Sequence, residues 1–227
     1  MLVIIGIIVI ILIFGPQTWV RHVLKKYNAQ IEKLDGTGGE LATHLIEKLG
    51  LNGISVELSA SEASNYNPKN KIISLTPDVY NGKSLTAISI SAHLIGHSIQ
   101  HLIRYKPFLI RSHMEKYLQA SEKAASIALI SFPLITLITH LPTVGVLILV
   151  LGISLLLISV VFHLVTLPIE LDASFQRALP ILVNGKYISK TTVPIMKKLL
   201  LASSLTYLSK SLASILNFYQ WISILRR

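Results

Sequence analysis

His93 and His97 stand four residues apart in the stretch Ser91-Ala92-His93-Leu94-Ile95-Gly96-His97-Ser98-Ile99-Gln100-His101. On a helix, residues at that spacing lie one above the other on a single face, so two imidazoles can reach one metal ion. This is the metal-binding half of the H-E-x-x-H pattern, in which two helix-borne histidines hold zinc. The other half of that pattern is a glutamate directly after the first histidine, which handles protons. Here that position is Leu94, and no catalytic acid–base residue is intact. His101 cannot share the ion with both other histidines. Eight residues at a rise of about 1.5 Å put it roughly 12 Å from His93, whereas Zn–N bonds are about 2 Å. A third ligand must come from elsewhere, and Glu170, an isolated carboxylate on a downstream helical segment, is the natural candidate. The competing reading is two core histidines satisfied by hydrogen bonds; the i, i+4 spacing among Ala92, Ile95 and Ile99 favours the metal.

The element that carries the pair reads as one helix over 84–105, apolar nearly all round and so expected to be buried. Upstream, Asp35 to Glu40 reads as a turn and cap for a helix at 41–49, closed by Gly50. Residues 54–58 and 71–75 read as short strands, with 65–70 as the turn between them. Downstream, Pro168 is expected to end an apolar run, and a new helix over 170–179 presents Glu170. A carboxylate that close to an apolar segment needs a partner; a helix N-terminus supplies one and a metal supplies a stronger one.

Of the 227 residues, 52% are hydrophobic and only 14% charged, with a mean hydropathy of +0.61. That is too apolar for an ordinary soluble domain. Four apolar runs, 2–20, 124–139, 144–167 and 199–225, predict a mainly α membrane protein with about four hydrophobic helices and a small α+β domain. The last run carries Lys210 and several serines, so it either spans or lies along the interface. The formal charge of +10 arises on the flanks: thirteen of the 21 Lys and Arg residues lie in 21–123 and five in 168–198. By the positive-inside rule both stretches are expected in the cytoplasm, with 140–143 outside. The expected order is a membrane anchor (1–20), a cytoplasmic region with the histidine helix (21–123), a membrane hairpin (124–167), a cytoplasmic segment with the third ligand (168–198) and a hydrophobic C-terminal helix (199–227). The bilayer is the expected partner. No basic stripe interleaves with aromatics, which argues against nucleic acid. With no cysteine there is no thiolate chemistry. His140 and His163, near opposite ends of the hairpin's second arm, form no haem-binding pattern and read as interfacial or hydrogen-bonded groups.

Several separated blocks together resemble the YugP-like neutral zinc metallopeptidases of bacterial membranes. They are the N-terminal apolar anchor, Thr37-Gly38-Gly39-Glu40, Leu75-Thr76-Pro77-Asp78-Val79-Tyr80-Asn81-Gly82, the histidine helix through Gln100-His101, Leu167-Pro168-Ile169-Glu170-Leu171-Asp172-Ala173-Ser174, Leu201-Ala202, and Leu205-Thr206-Tyr207. The resemblance covers nearly the whole chain. It implies a zincin-like domain with a gluzincin-like site, in which His93, His97 and Glu170 are the Zn²⁺ ligands and the active face is cytoplasmic in a multi-pass protein of the bacterial cell membrane. It also sharpens two departures. Where that family has its proton-transferring glutamate, this chain has Leu94. The family's Asp-His-Tyr-Asp-Pro turn stands here as Ser64-Asn65-Tyr66-Asn67-Pro68. Three readings follow. One is a zinc-binding pseudopeptidase that binds a membrane protein or peptide, through an edge strand near 71–75. The second is a working peptidase with another base, for which Glu62, Asp172 and His101 stand nearest. The third is a metal-free membrane scaffold.

Overall fold

The computed structural model describes residues 2–31, 34–59, 61 and 63–214. Helix dominates: α1 (Leu2–Lys26), α2 (Gly38–Lys48), α3 (Pro77–Tyr80), α4 (Leu85–Leu102), α5 (Lys106–Thr139), α6 (Pro142–Leu171), a π-helix (Asp172–Ala178), α7 (Leu179–Asn184) and α8 (Val193–Ser214). A three-stranded sheet, β1 (Ser55–Leu58), β2 (Asn65–Asn67) and β3 (Ile72–Leu75), completes the described elements. The chain divides into two compact units. One comprises Met1–Gln17, Arg111–Thr166 and Tyr207–Arg227; the other comprises Thr18–Ile110 and Leu167–Thr206.

The second unit is built around α4. Its start is set by Ser84, whose side chain accepts from the Ala87 N–H at 3.0 Å, and α2 starts with a full capping box. There the Thr37 hydroxyl accepts from the Glu40 N–H at 3.2 Å while the Glu40 carboxylate accepts from the Thr37 N–H at 2.8 Å, satisfying two donors that helix geometry leaves open. One face of α4 gives Leu94 and Ile95 to a core with Ala42 and Leu45 of α2 and Ile73 and Leu75 of β3. Another gives Ile88 and Ala92 to a core with Ala178, Leu182, Met196 and Leu200. Each fully buried aliphatic side chain contributes about 1.5–3 kcal/mol, so protein surrounds α4 and its apolar character is spent inside.

The sheet differs from its expected form. Its order is β1-β3-β2, with β1 parallel to β3 and β2 antiparallel to it. Residues 65–67, expected in a turn, pair with β3 as an edge strand. Strand β3 is therefore central, and the edge expected near 71–75 belongs instead to β1 and β2. The parallel pairing has a simple origin: the chain must cross over between β1 and β3, and β2 fills that crossover. The expectation at Pro168 also changes, because the helix runs through it. A proline removes one N–H and crowds the preceding turn, yet the helix continues through it and passes four residues later into the π-helix, where the Leu179 N–H bonds the Ser174 carbonyl.

In the first unit, α5 and α6 bury a narrow seam of Ala125, Leu129 and Leu156 and leave Leu134, Leu147, Leu151 and Val165 exposed. Two helices among the described residues are long and apolar enough to cross a membrane: Lys106–Thr139 and the continuous run Pro142–Asn184. Of the four hydrophobic membrane helices expected, these two meet that criterion among the described residues. Helix α8 places Met196, Leu199, Leu200 and Ala202 in protein cores, and α1 buries Val20 and Val23 against α8. Residues 215–225 of the fourth expected run lie outside the described residues.

Candidate metal centre

His93, His97 and Glu170 meet inside the second unit, all three at most 5% exposed. The imidazoles of His93 and His97 stand edge to face with centroids 4.6 Å apart, as one turn of α4 requires. Their Nε2 atoms lie 3.2 and 3.0 Å from the same carboxylate oxygen, Oε2 of Glu170. Among the described residues this is the one group of three His, Asp or Glu side chains whose ligating atoms converge, all within 4.8 Å of one another. A tetrahedral zinc site with bonds of about 2.0–2.1 Å separates its ligand atoms by roughly 3.3 Å. The two imidazole-to-carboxylate spacings, 3.2 and 3.0 Å, lie close to that edge.

The proton positions around the trio support the same fit. Gln100 Nε2 donates to the Ile169 carbonyl at 2.9 Å and to Asp172 Oδ2 at 2.7 Å. Its amide oxygen therefore faces His97 Nδ1, 3.0 Å away, and accepts the Nδ1–H. This leaves His97 Nε2 as a bare lone pair aimed at Glu170. His93 Nδ1 lies 2.8 Å from Ser174 Oγ. Ser174 gives its proton to the Leu200 carbonyl, so it accepts from His93. Two imidazole lone pairs and a carboxylate oxygen thus converge on one point in a buried site. Such an arrangement of acceptors is stabilised by a cation at their centre, and hydrogen bonds to the far nitrogens are the usual support of zinc-bound histidines. The residues present fit a zinc ion.

Local structure explains how a carboxylate 73 positions after His97 arrives there. Glu170 occupies the last turn of α6, and the π-helix that follows turns Asp172 towards Gln100 and Ser174 towards His93. Gly96, between the two histidines, permits the close approach: a Cβ there would fall on the Ala173 carbonyl oxygen. The Asp172 carboxylate is held further by Arg177 Nε at 3.3 Å.

The remaining sites expected from the sequence are scattered. Leu94 is 5% exposed and belongs to the aliphatic core with Ile73 and Leu75. Of the three alternative bases, Asp172 is engaged by Gln100 and Arg177, and Glu62 lies outside the described residues. His101 is bonded through Nδ1 to Tyr66 Oη at 2.7 Å. Burial pushes the Tyr66 phenol up to about 12. Burial, and then the charge of Lys71, hold the His101 imidazole below its ordinary value. In the other unit His163 lies 4.0 Å from Glu122 and stacks on Tyr207, while His140 adopts a positive φ of 54° in the α5–α6 turn. Gln100, Ser174, Ser204 and Gly96 carry no functional signal in the sequence by themselves. Only the i, i+3 spacing of His97 and Gln100 hints at their connection.

Three comparisons with known proteins bear on this site. Residues 2–226 match the family model described as "Putative neutral zinc metallopeptidase". The chain is 31% identical over 213 residues to the "Putative membrane protease YugP" of Bacillus subtilis (strain 168), an alignment covering 93% of this chain and 90% of the relative. No solved structure matches.

Proposed function

The chain belongs to the neutral zinc metallopeptidase family, and from that premise we propose that it is a zinc-binding, multi-pass membrane protein of peptidase architecture that binds peptide but has lost, or nearly lost, the ability to cut it. His93, His97 and Glu170 would hold the ion. When bound there, zinc supplies Lewis-acid polarisation of a peptide carbonyl and a lowered water pKa. Every other task falls to the chain itself. Gln100 and Ser174 fix the tautomers of the two histidines, and Asp172 with Arg177 fixes Gln100. Proton transfer between water and a leaving amine needs a titratable group next to His93, and that place holds an aliphatic side chain. The loss is large, since a positioned general acid–base contributes about 10²–10⁴-fold.

One observation carries the reading: Leu94 sits in an aliphatic core while the ligand trio beside it is complete. The expected topology accompanies it. The Lys- and Arg-rich regions 21–123 and 168–198 would face the cytoplasm as a zincin-like domain, anchored by 1–20 and by the hairpin of 124–167, with 199–227 as a further hydrophobic helix. The partners would be the lipid bilayer and a membrane protein or peptide, whose extended backbone can pair with an edge strand of the sheet; nucleic acid is not among them. The test uses the full chain purified in detergent. About one zinc per chain is expected, with no chelator-sensitive hydrolysis of casein. Chelator-sensitive turnover by the native sequence would overturn the loss of activity and favour another base, whereas a zinc content of zero that His93→Ala leaves unchanged would favour the metal-free scaffold. In Leu94→Glu, any gain in hydrolysis localises the defect to this one residue.

A further inference from the structure

Next to the ligand trio, and separate from it, lies a hydrogen-bonded pair of neutral side chains. Tyr66, on edge strand β2, places its Oη 2.7 Å from Nδ1 of His101, one helical turn beyond His97 on α4. The pair is fixed against the ligand helix by Phe108, a buried ring whose centroid lies 5.7 Å from that of His97, 6.0 Å from that of His101 and 6.4 Å from that of Tyr66.

The shared proton has a preferred side. A phenol is a stronger acid than a neutral imidazole N–H, and an imidazole nitrogen accepts better than a phenol oxygen, so Tyr66 Oη–H donates to His101 Nδ1. In a neutral ring the remaining proton is then on Nε2. The pKa directions at both residues agree: burial keeps Tyr66 a phenol, and burial with the Lys71 charge keeps His101 uncharged. No described residue accepts a hydrogen bond from His101 Nε2, and the ring is half-buried, so the fold orients a donor and leaves its acceptor to come from outside. The nearby ammonium of Lys71 favours an oxygen that carries negative or partial negative charge.

We propose that the Tyr66–His101 pair is a ligand-binding subsite in which His101 Nε2–H donates to an oxygen of a bound peptide, with Tyr66 as the positioning residue that fixes the tautomer. This rests on the reading that the protein binds peptide, and it names where the peptide is held beyond the metal ligands. The oxygen is either a main-chain carbonyl or a C-terminal carboxylate; both offer the acceptor that Nε2–H lacks.

The test uses full-length protein in detergent loaded with Co²⁺, whose visible spectrum reports the ligand trio independently of any turnover. The probes are two fluorescein-labelled hexapeptides of one sequence, ending in a free acid or an amide, and binding is read by fluorescence anisotropy. His101→Ala is expected to weaken binding about tenfold with the Co²⁺ spectrum unchanged, the loss of one hydrogen bond. His101→Gln, whose amide supplies an N–H, should recover most of that loss. Tyr66→Phe should cost about threefold, within the range of one positioning hydrogen bond, and should convert the single Nε2–H tautomer of His101, seen in ¹⁵N NMR spectra, into a mixture. Loss for both peptides assigns the main-chain carbonyl, and loss for the free acid alone assigns the carboxylate. If His101→Ala and His101→Gln bind both peptides as the native chain does, the subsite is overturned and the pair is a structural clasp between β2 and α4. If the native chain, with an intact Co²⁺ spectrum, binds neither peptide, the peptide-binding reading itself falls. If no Co²⁺ spectrum forms, the metal reading falls.

Discussion

Helix α4 and the helices α5 and α6 are written in much the same aliphatic alphabet, yet they meet opposite surroundings. Along α4, Ala87, Ala92 and Ile95 are at most 1% exposed, and protein covers every face. The polar side chains at the centre of α4 are bonded: His93 to Ser174, His97 to Gln100, and Gln100 to Asp172. On α5 and α6 the seam of Ala125, Leu129 and Leu156 is narrow, and Leu147 and Val165 are 69% and 71% exposed. Aliphatic surface on that scale is stable only where water is excluded. Hydrophobicity alone therefore does not separate a core helix from a membrane helix. What separates the two is coverage by the protein: α4 is enclosed and holds His93, His97 and Gln100 in one network, although its buried Ser89 and Ser91 hydroxyls find no hydrogen-bond partner among the described residues, whereas α6 leaves most of its aliphatic surface uncovered.

This contrast can be broken in graded steps. The largest effect should come from the ligand trio. His97→Ala should lower bound zinc from about one per chain to near zero by elemental analysis. Zinc at 1,000 times its Kd stabilises a folded state by about 4 kcal/mol, so the rise in Tm on adding zinc should vanish in the variant while membrane association persists. Gly96→Val should act similarly by pushing the π-helix off α4; retention of zinc by that variant would show that the close approach is dispensable. Next is Leu151→Arg on α6. An arginine at the centre of a spanning helix costs about 2.5–3.5 kcal/mol, which a glycosylation-site reporter should read as reduced insertion. Unaltered insertion would mean that this helix does not span.

Smaller still is Gln100→Leu, which removes the acceptor that sets the His97 tautomer and leaves Asp172 with Arg177 as its remaining donor. Outer partners of this kind are worth about 10–100-fold in metal affinity, to be measured by chelator competition. An unchanged affinity would separate the hydrogen-bond network from the metal. The smallest effect concerns His101. Its folded pKa lies below the ordinary value, so the unfolded chain takes up a proton first as pH falls. The stability gained from the neutral ring is complete above about pH 6.5 and is lost as pH drops through the folded value. The decline in Tm between about pH 7 and 5 should thus be shallower in His101→Gln than in the native chain. An equal slope would show that His101 titrates as freely in the fold as in the unfolded chain.

Much of the site was legible without coordinates because its signals are local. Helical periodicity stacks His93 on His97, and the identity of residue 94 is readable directly. Glu170 stood out as an isolated carboxylate beside an apolar run. Boundaries governed by backbone hydrogen bonding were less legible. Pro168 looks like a terminator, but in a long helix whose neighbours pack tightly the chain continues and widens into the π-helix. Residues 65–67 look like a turn because Asn and Pro favour one, yet their pairing with β3 outweighs that preference.

By itself the sequence determined the i, i+4 histidines, the leucine that follows the first of them, the apolar runs and the basic flanks, since each depends on residues within a few positions of one another. Only the tertiary structure decided that Glu170 closes the trio, that Gln100 and Ser174 set the histidine tautomers, and that Tyr66 reaches His101. Those contacts join residues 35 to 81 positions apart or depend on a neighbour's orientation. Chain spacing does not specify them; the packing of α4 against the π-helix through Gly96, and of β2 beside β3, does.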